Sequence, residues 1–265
     1  MRCLGGGLRN RAVWASILAV VVLVLMIAGL AQGERSQYGT LIVSLDGQLS
    51  PLTLPRKRSA PVAISLKGRL QTADGSPLPR VTEVQLGLPQ QGVLSTHGLP
   101  TCPRRELIAA NSVVALRNCR EALVGHGQLD LTVRLPHQKP FAVQTHLLAF
   151  NAHLGKRHAV FLHAFTPKPP FSIVLPFALR RDSGRFGMTL AARLPVVGKW
   201  ARVAEFQMTL SRRYAYHGRR RSYLSASCPI PRRFTAGFFS LARVAYKLAG
   251  GRQVSTAIAR SCRAR

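Results

Sequence analysis

Four histidines, His146, His153, His158 and His163, fall within eighteen residues and form the densest set of metal-ligating groups in the chain. Such a cluster invites a zinc reading, but a strand sends successive side chains to opposite faces. His158 and His163 are five apart, so one straight strand cannot aim both at one ion. A hairpin over 144–151 and 157–165 would set His146 across from His163, which makes two ligands. No nearby cysteine or carboxylate completes a tetrahedral set. Asn151 to Arg157 is then the turn, with His153 at its tip. The expectation is satisfied or solvated histidines, with no metal and no cofactor.

Hydrolytic chemistry needs carboxylates, and the chain has nine acids. Glycoside cleavage requires two of them converging on one sugar, and Glu83 and Glu205, both in strand-like segments, are the pair to consider. Solvent-facing strand positions explain them more simply. No GxSxG elbow, HExxH or P-loop pattern occurs beyond residue 33. Gly125-His126-Gly127 follows a helix instead of opening one, so it is not a phosphate cradle. No catalytic residue is assigned. Because a Ser-His-acid set need not be contiguous, an extracytoplasmic hydrolase with a composite site stands as the alternative function.

The strongest local feature is basic. Arg212 and Arg213 precede Tyr214-Ala215-Tyr216-His217-Gly218, and Arg219, Arg220 and Arg221 follow. Strands over 203–216 and 219–227, joined near Gly218, would place five arginines and interleaved Tyr214, Tyr216 and Tyr223 at a hairpin tip. Guanidinium forks bind phosphate and carboxylate bidentately and stack on rings. Anionic cell-wall polymer or lipid headgroups are the partners that fit, with no specific nucleic acid implied. The simpler alternative is a charged edge that discourages strand-to-strand aggregation.

The whole composition points the same way. The 265 residues carry 38 Lys and Arg against 9 Asp and Glu, a formal net charge of +29, with 47% hydrophobic residues. That hydrophobic share excludes intrinsic disorder, and a single long apolar run excludes a polytopic membrane protein. The run, 12–31, follows Arg2, Arg9 and Arg11, and Ala31-Gln32-Gly33 offers small residues for cleavage. Residues 1–33 therefore read as a signal peptide or signal-anchor that leaves the rest outside the cytoplasmic membrane, secreted or held by one N-terminal hydrophobic helix. Those three arginines are the only charges before residue 34, so 35 bases and nine acids follow, a net of +26. Four cysteines are exported, and an even count outside the cell reads as two disulfides. Three connectivities exist; proximity favours Cys102–Cys119 and Cys228–Cys262.

The elements that must position these groups are strands. Val62, Ile64 and Leu66 alternate with small or polar neighbours, as do Val84, Leu86 and Leu88, then Leu129, Leu131 and Val133, and Phe206, Met208 and Leu210. Further strands are expected over 141–151, 157–165, 171–179, 186–193, 219–227, 238–248 and 252–260, with Gly250-Gly251 as the last hairpin turn. One short helix, about 110–123, starts at Ala110-Asn111-Ser112, presents Val113, Leu116, Ala122 and Leu123, and stops at Gly125 and Gly127. The expected architecture is all-β, an antiparallel β-sandwich or jelly-roll-like domain over 62–265, reached through a linker at 34–61 that holds prolines and Arg56-Lys57-Arg58.

These marks resemble a family of uncharacterised, exported actinobacterial proteins. The resemblance lies in Gly98-Leu99-Pro100-Thr101-Cys102, Cys119-Arg120-Glu121-Ala122-Leu123-Val124-Gly125-His126-Gly127, Leu148-Ala149-Phe150-Asn151, Phe186-Gly187, Tyr223-Leu224-Ser225-Ala226-Ser227-Cys228-Pro229 and Ser261-Cys262. It spans roughly residues 60–262 and implies export and a disulfide-bearing β-rich domain. It carries no activity, so no residue inherits a catalytic role. The expected function is a non-enzymatic envelope protein contacting anionic surfaces, or else a structural or partner-binding module.

Overall fold

The computed structural model describes residues 34–167, 170–195 and 201–265. The expected targeting segment, 1–33, lies outside them. Over the described residues the chain is mostly β. Strands β1 (Glu34–Tyr38) and β2 (Leu41–Ser50) form a hairpin, followed by two-residue β3 (Thr53–Leu54) and β4 (Ala60–Pro61). Next come β5 (Ala63–Thr72), β6 (Val81–Leu88) and β7 (Gly92–Leu94). Helix α1 (Ser112–Cys119) then leads into β8 (Leu123–Val133), β9 (Phe141–Leu154), β10 (Arg157–Pro167) and β11 (Pro170–Arg181). After β12 (Met188–Arg193) and β13 (Ala201–Leu210) come a short hairpin, β14 (Arg213–Tyr216) and β15 (Arg219–Ser222), and β16 (Leu224–Ala226). The last pair is β17 (Ala236–Leu248) and β18 (Gln253–Ala264).

Thirteen of these strands make one sheet in the order β1-β2-β5-β13-β8-β9-β10-β11-β12-β6-β17-β18-β3. Its pairings are antiparallel except β18 with β3. The all-β class and the single short helix agree with expectation. The layers differ: one sheet curls on itself where two sheets were expected to face each other. Long twisted strands coil naturally, and bulges at Val203/Glu205, Ser240/Ala242 and Leu123/Gly125 add bends. The two sides of the curled sheet meet where Tyr38 donates to the Ser255 carbonyl at 2.6 Å and Arg260 Nε donates to the Gly47 carbonyl at 2.7 Å. Arg260 also meets Asp46 at 2.5 Å.

Strand parity explains the burial. Ile64, Leu66, Met208, Leu210, Val160, Leu190, Val244 and Ile258 turn to the concave face and belong to one buried cluster. Lys67, Arg69, Glu205, Gln85 and Lys247 alternate with them on the convex face. This is the reverse of a transmembrane barrel, whose apolar band faces outward. Among the described residues, no helix is long and apolar enough to cross a membrane.

On β9 and β10 both faces are buried, which accounts for the unbroken apolar runs there. Leu148, Phe150, Ala159 and Phe161 on the convex face form a second cluster with Leu107, Ala115 and Cys119 of the helical segment. Asn111 caps α1 by accepting from the Val114 amide at 2.9 Å. The helix buries Ala115 and Cys119, whereas Val113, expected on the apolar face, is 74% exposed. The helix gives way to a tight turn over Arg120–Ala122, so Gly125 and Gly127 do not stop it. They lie inside β8, where a Cβ on Gly127 would sit 1.9 Å from the Gln207 carbonyl oxygen.

The expected linker, 34–61, is part of the barrel. Leu41, Val43, Leu45 and Leu49 of β2 are all at most 3% exposed. Arg56, expected in the linker, donates to the carbonyls of Ile230, Pro231, Arg232 and Phe234 and so tacks this segment down. One end of the barrel is closed by a three-stranded sheet in the order β4-β16-β7. Leu99, Tyr223, Leu224 and Ala226 fill the space beneath it. The disulfides pair Cys102 with Cys119 and Cys228 with Cys262, the pairing that proximity favours.

Candidate functional site

The concave face does not close completely. A partly open cavity of about 120 Å³ lies between β5, β6, β13, β17 and the β8–β12 wall. An apolar cavity of similar volume stays dry and takes up benzene. Val84, Leu86, Leu162, Leu175, Val203 and Phe206 line it and are only half-buried, although they point inward. Of the nineteen lining side chains only Tyr246 carries a polar atom, and burial pushes its phenol pKa up, so it stays neutral. The sequence shows inward apolar faces strand by strand. It cannot show that they fail to fill the lumen, because that depends on the number of strands and their curvature.

The histidines are not a metal centre. His163 is fully buried on the convex face of β10, opposite Leu148 and not His146 as the expected hairpin had it. Its Nε2 donates to the Ala110 carbonyl at 2.9 Å and lies 3.2 Å from Ser172 Oγ, while Nδ1 has no partner. His163 therefore anchors the helical segment. His153 is not at a turn tip: it sits in β9 opposite His158, the ring centroids 4.8 Å apart, and the turn is one step on, at Gly155. Among the described residues no group of three His, Cys, Asp or Glu converges.

Burial holds the His163 pKa below its ordinary 6.5, with the Ala110 bond opposing in part. As pH falls through about 6.5, the unfolded chain takes up a proton that the folded chain refuses. Stability from this group is complete above that pH and is lost as pH falls towards the folded value. Tm measured between about pH 7.5 and 5 therefore falls, and His163→Gln, which keeps a donor for Ala110, flattens part of that fall. A variant profile parallel to the parent's would exonerate His163.

The carboxylates do not converge either. Glu83 on β6 and Glu205 on β13 are separated by five intervening strands in the sheet. Burial opposes ionisation of Glu205, but Lys67 at 2.8 Å and Arg69 at 2.5 Å hold its carboxyl below the usual range. Glu83 accepts from Gln85.

The basic hairpin exists, carried by β14 and β15 as a separate two-stranded sheet and not by continuation of β13. Its turn, His217-Gly218, has positive φ at both residues. Register alternates the arginines: Arg221 and Arg219 share a face with Tyr214 and Tyr216, while Arg213 and Arg220 take the other. Arg212 pairs with Glu121 at 3.2 Å, and Arg221 lies 5.8 Å from the Tyr216 ring centroid. Arg213, Arg219 and Arg220 are exposed, and no acid of the described residues pairs with them. The tyrosines are committed inward. Tyr214 donates to the His97 carbonyl at 2.8 Å, and Tyr216 covers Gly98, where a Cβ would come within 2.1 Å of the ring. Tyr223 is fully buried.

Sequence reasoning missed Asn151, a fully buried side chain whose amide donates to the Leu99 and Pro100 carbonyls. It fastens the loop leading to Cys102. Asn151 and Gly98, both in stretches that carry the resemblance, thus serve contacts that hold this loop in place. No protein-family model, no curated protein and no solved structure matches this chain.

Proposed function

We propose that this chain is an exported, non-enzymatic envelope protein that receives an apolar chain inside its curled sheet. The cavity carries this reading: it is walled by aliphatic and aromatic side chains, and no serine, histidine or carboxylate of the described residues lines it. That lining suits transfer of hydrocarbon out of water and offers nothing to hydrolyse a substrate. Export is supported by the two disulfides, which form in oxidising compartments, and by the basic, apolar leader. A neutral naphthylamine dye should bind one per chain with blue-shifted emission. Leu162→Trp and Val84→Trp, which fill the lumen, should each weaken it at least about tenfold with Tm retained. Unchanged affinity in both variants would overturn the reading.

A second reading concerns where the protein works. Arg213, Arg219 and Arg220 present three uncompensated charges on a hairpin pinned by its tyrosines, and they suit contact with anionic wall polymer or acidic headgroups. The protein should sediment with anionic vesicles at low salt and release as salt rises. Arg213→Gln, Arg219→Gln and Arg220→Gln together should reduce that association several-fold. Equal retention by neutral vesicles would count the charge as incidental.

A further inference from the structure

We infer that the end of the barrel opposite the β4-β16-β7 sheet recognises an anionic head group, so that the cavity's ligand is a single-chain amphiphile ending in a carboxylate or phosphate. This rests on the apolar-chain reading and adds a head-group class and a direction of entry. The barrel's two ends are unlike. One is covered by the β4-β16-β7 sheet and the Leu99 loop. At the other, the pairings Ala201 with Val133, Val133 with Phe141, Arg193 with Glu83 and Leu248 with Val81 gather the termini of six strands. Three cavity-lining residues, Val81, Leu194 and Val203, come from this end. The lumen therefore reaches towards the end opposite that sheet.

That side is ringed with bases. Arg80 is bonded to Val81 along the chain and Arg193 to Leu194. Arg134 follows Val133, Lys139 lies on the β8–β9 connection, and Lys247 and Arg252 flank the β17–β18 turn. All six are exposed. Two acids share this end. Glu83 stands opposite both Arg193 and Lys247 in register. Asp74 turns its carboxylate onto its own loop, accepting from the Ser76 amide at 3.0 Å. The lip thus stays strongly positive above an apolar interior. An anion held at such a lip is attracted across a low-dielectric wall and meets guanidinium forks that suit carboxylate and phosphate oxygens. Its hydrocarbon tail can then enter the lumen without the charge leaving water. A neutral head group gains only the tail's burial, and a cationic one is repelled.

Competition against the bound naphthylamine dye tests this with the exported chain, both disulfides intact, and ligands of one chain length: decanoate, decyl phosphate, decanol and decyltrimethylammonium. Decanoate or decyl phosphate should displace the dye at roughly tenfold lower concentration than decanol, decyltrimethylammonium least well, and the gap should narrow with salt. The two anionic arms separate a carboxylate from a phosphate ligand. Arg80→Gln, Arg134→Gln and Arg193→Gln combined should abolish the anionic advantage while leaving decanol displacement and Tm unchanged. The hairpin variant Arg213→Gln, Arg219→Gln, Arg220→Gln should keep the advantage. If all four ligands compete equally while the dye still binds, head-group recognition is overturned and the apolar cavity reading survives. If the advantage vanishes in the hairpin variant and not in the lip variant, the inference also falls. Failure of the dye to bind at all removes both readings together.

Discussion

Alanine at both Cys228 and Cys262 lowers the unfolding free energy by about 4 kcal/mol, and alanine at Cys102 and Cys119 by about 3 kcal/mol, on the loop-entropy account of cross-linking. The order follows from loop length, since the bridges close separations of 34 and 17 residues. Position sharpens the contrast. Cys228 is fully buried and Cys262 is 2% exposed, both in the main cluster. Their bridge ties the exit of β16 to the far end of β18, the strand that pairs with β3 and borders the closure of the sheet. Cys102–Cys119 ties a loop to α1 in the smaller convex cluster, and its loss loosens that layer first. Urea unfolding of the two double variants gives both values. A larger loss from the Cys102–Cys119 pair would show that the helical layer, and not the sheet closure, limits stability.

Gly127→Ala costs about 3 kcal/mol or more, at the upper end of what overpacking costs. The added methyl would meet backbone: the Gln207 carbonyl oxygen at 1.9 Å, its carbon at 2.8 Å and Met208 Cα at 2.9 Å. Backbone cannot swing aside, so β8 and β13 must part where Gly127 faces Met208. Gly68→Ala is the informative control. Its methyl meets the Phe206 ring at 2.3 Å, and that ring borders the cavity and has room to tilt into it. Its cost is about 1 kcal/mol, accompanied by weaker dye binding as the ring takes up lumen space. Equal loss of Tm in the two variants would refute the distinction between a rigid and a yielding neighbour.

Much of this architecture was legible strand by strand. The alternation at Val62, Ile64 and Leu66, or at Phe206, Met208 and Leu210, fixes which side chains face inward because a strand has only two faces. The cysteine pairing was legible because short separations dominate. Strand order was not, since it is set by long-range pairing such as β13 between β5 and β8. The segment 34–61 was misread for a physical reason: Pro51, Pro55 and Pro61 and three consecutive bases look like a solvated connector. In the fold, Arg56 spends its donors on four carbonyls. His163 was read only as a satisfied or solvated histidine; its role as an anchor for Ala110 depends on a segment fifty-three residues away. The tyrosines of the basic hairpin were expected to serve a ligand, whereas the loop over Leu99 claims them. The cavity is a property of the whole ring, which no single strand announces.

Where the β1–β2 hairpin approaches β18, the polar contacts are made by the side chains of Tyr38 and Arg260, and the backbone ladder there is the two residues of β3. Every other neighbouring pair is stitched by a backbone ladder. The ring is therefore sutured at this one place by side chains, with buried Ile258 packed beside Gly47, whereas the rest is woven by backbone.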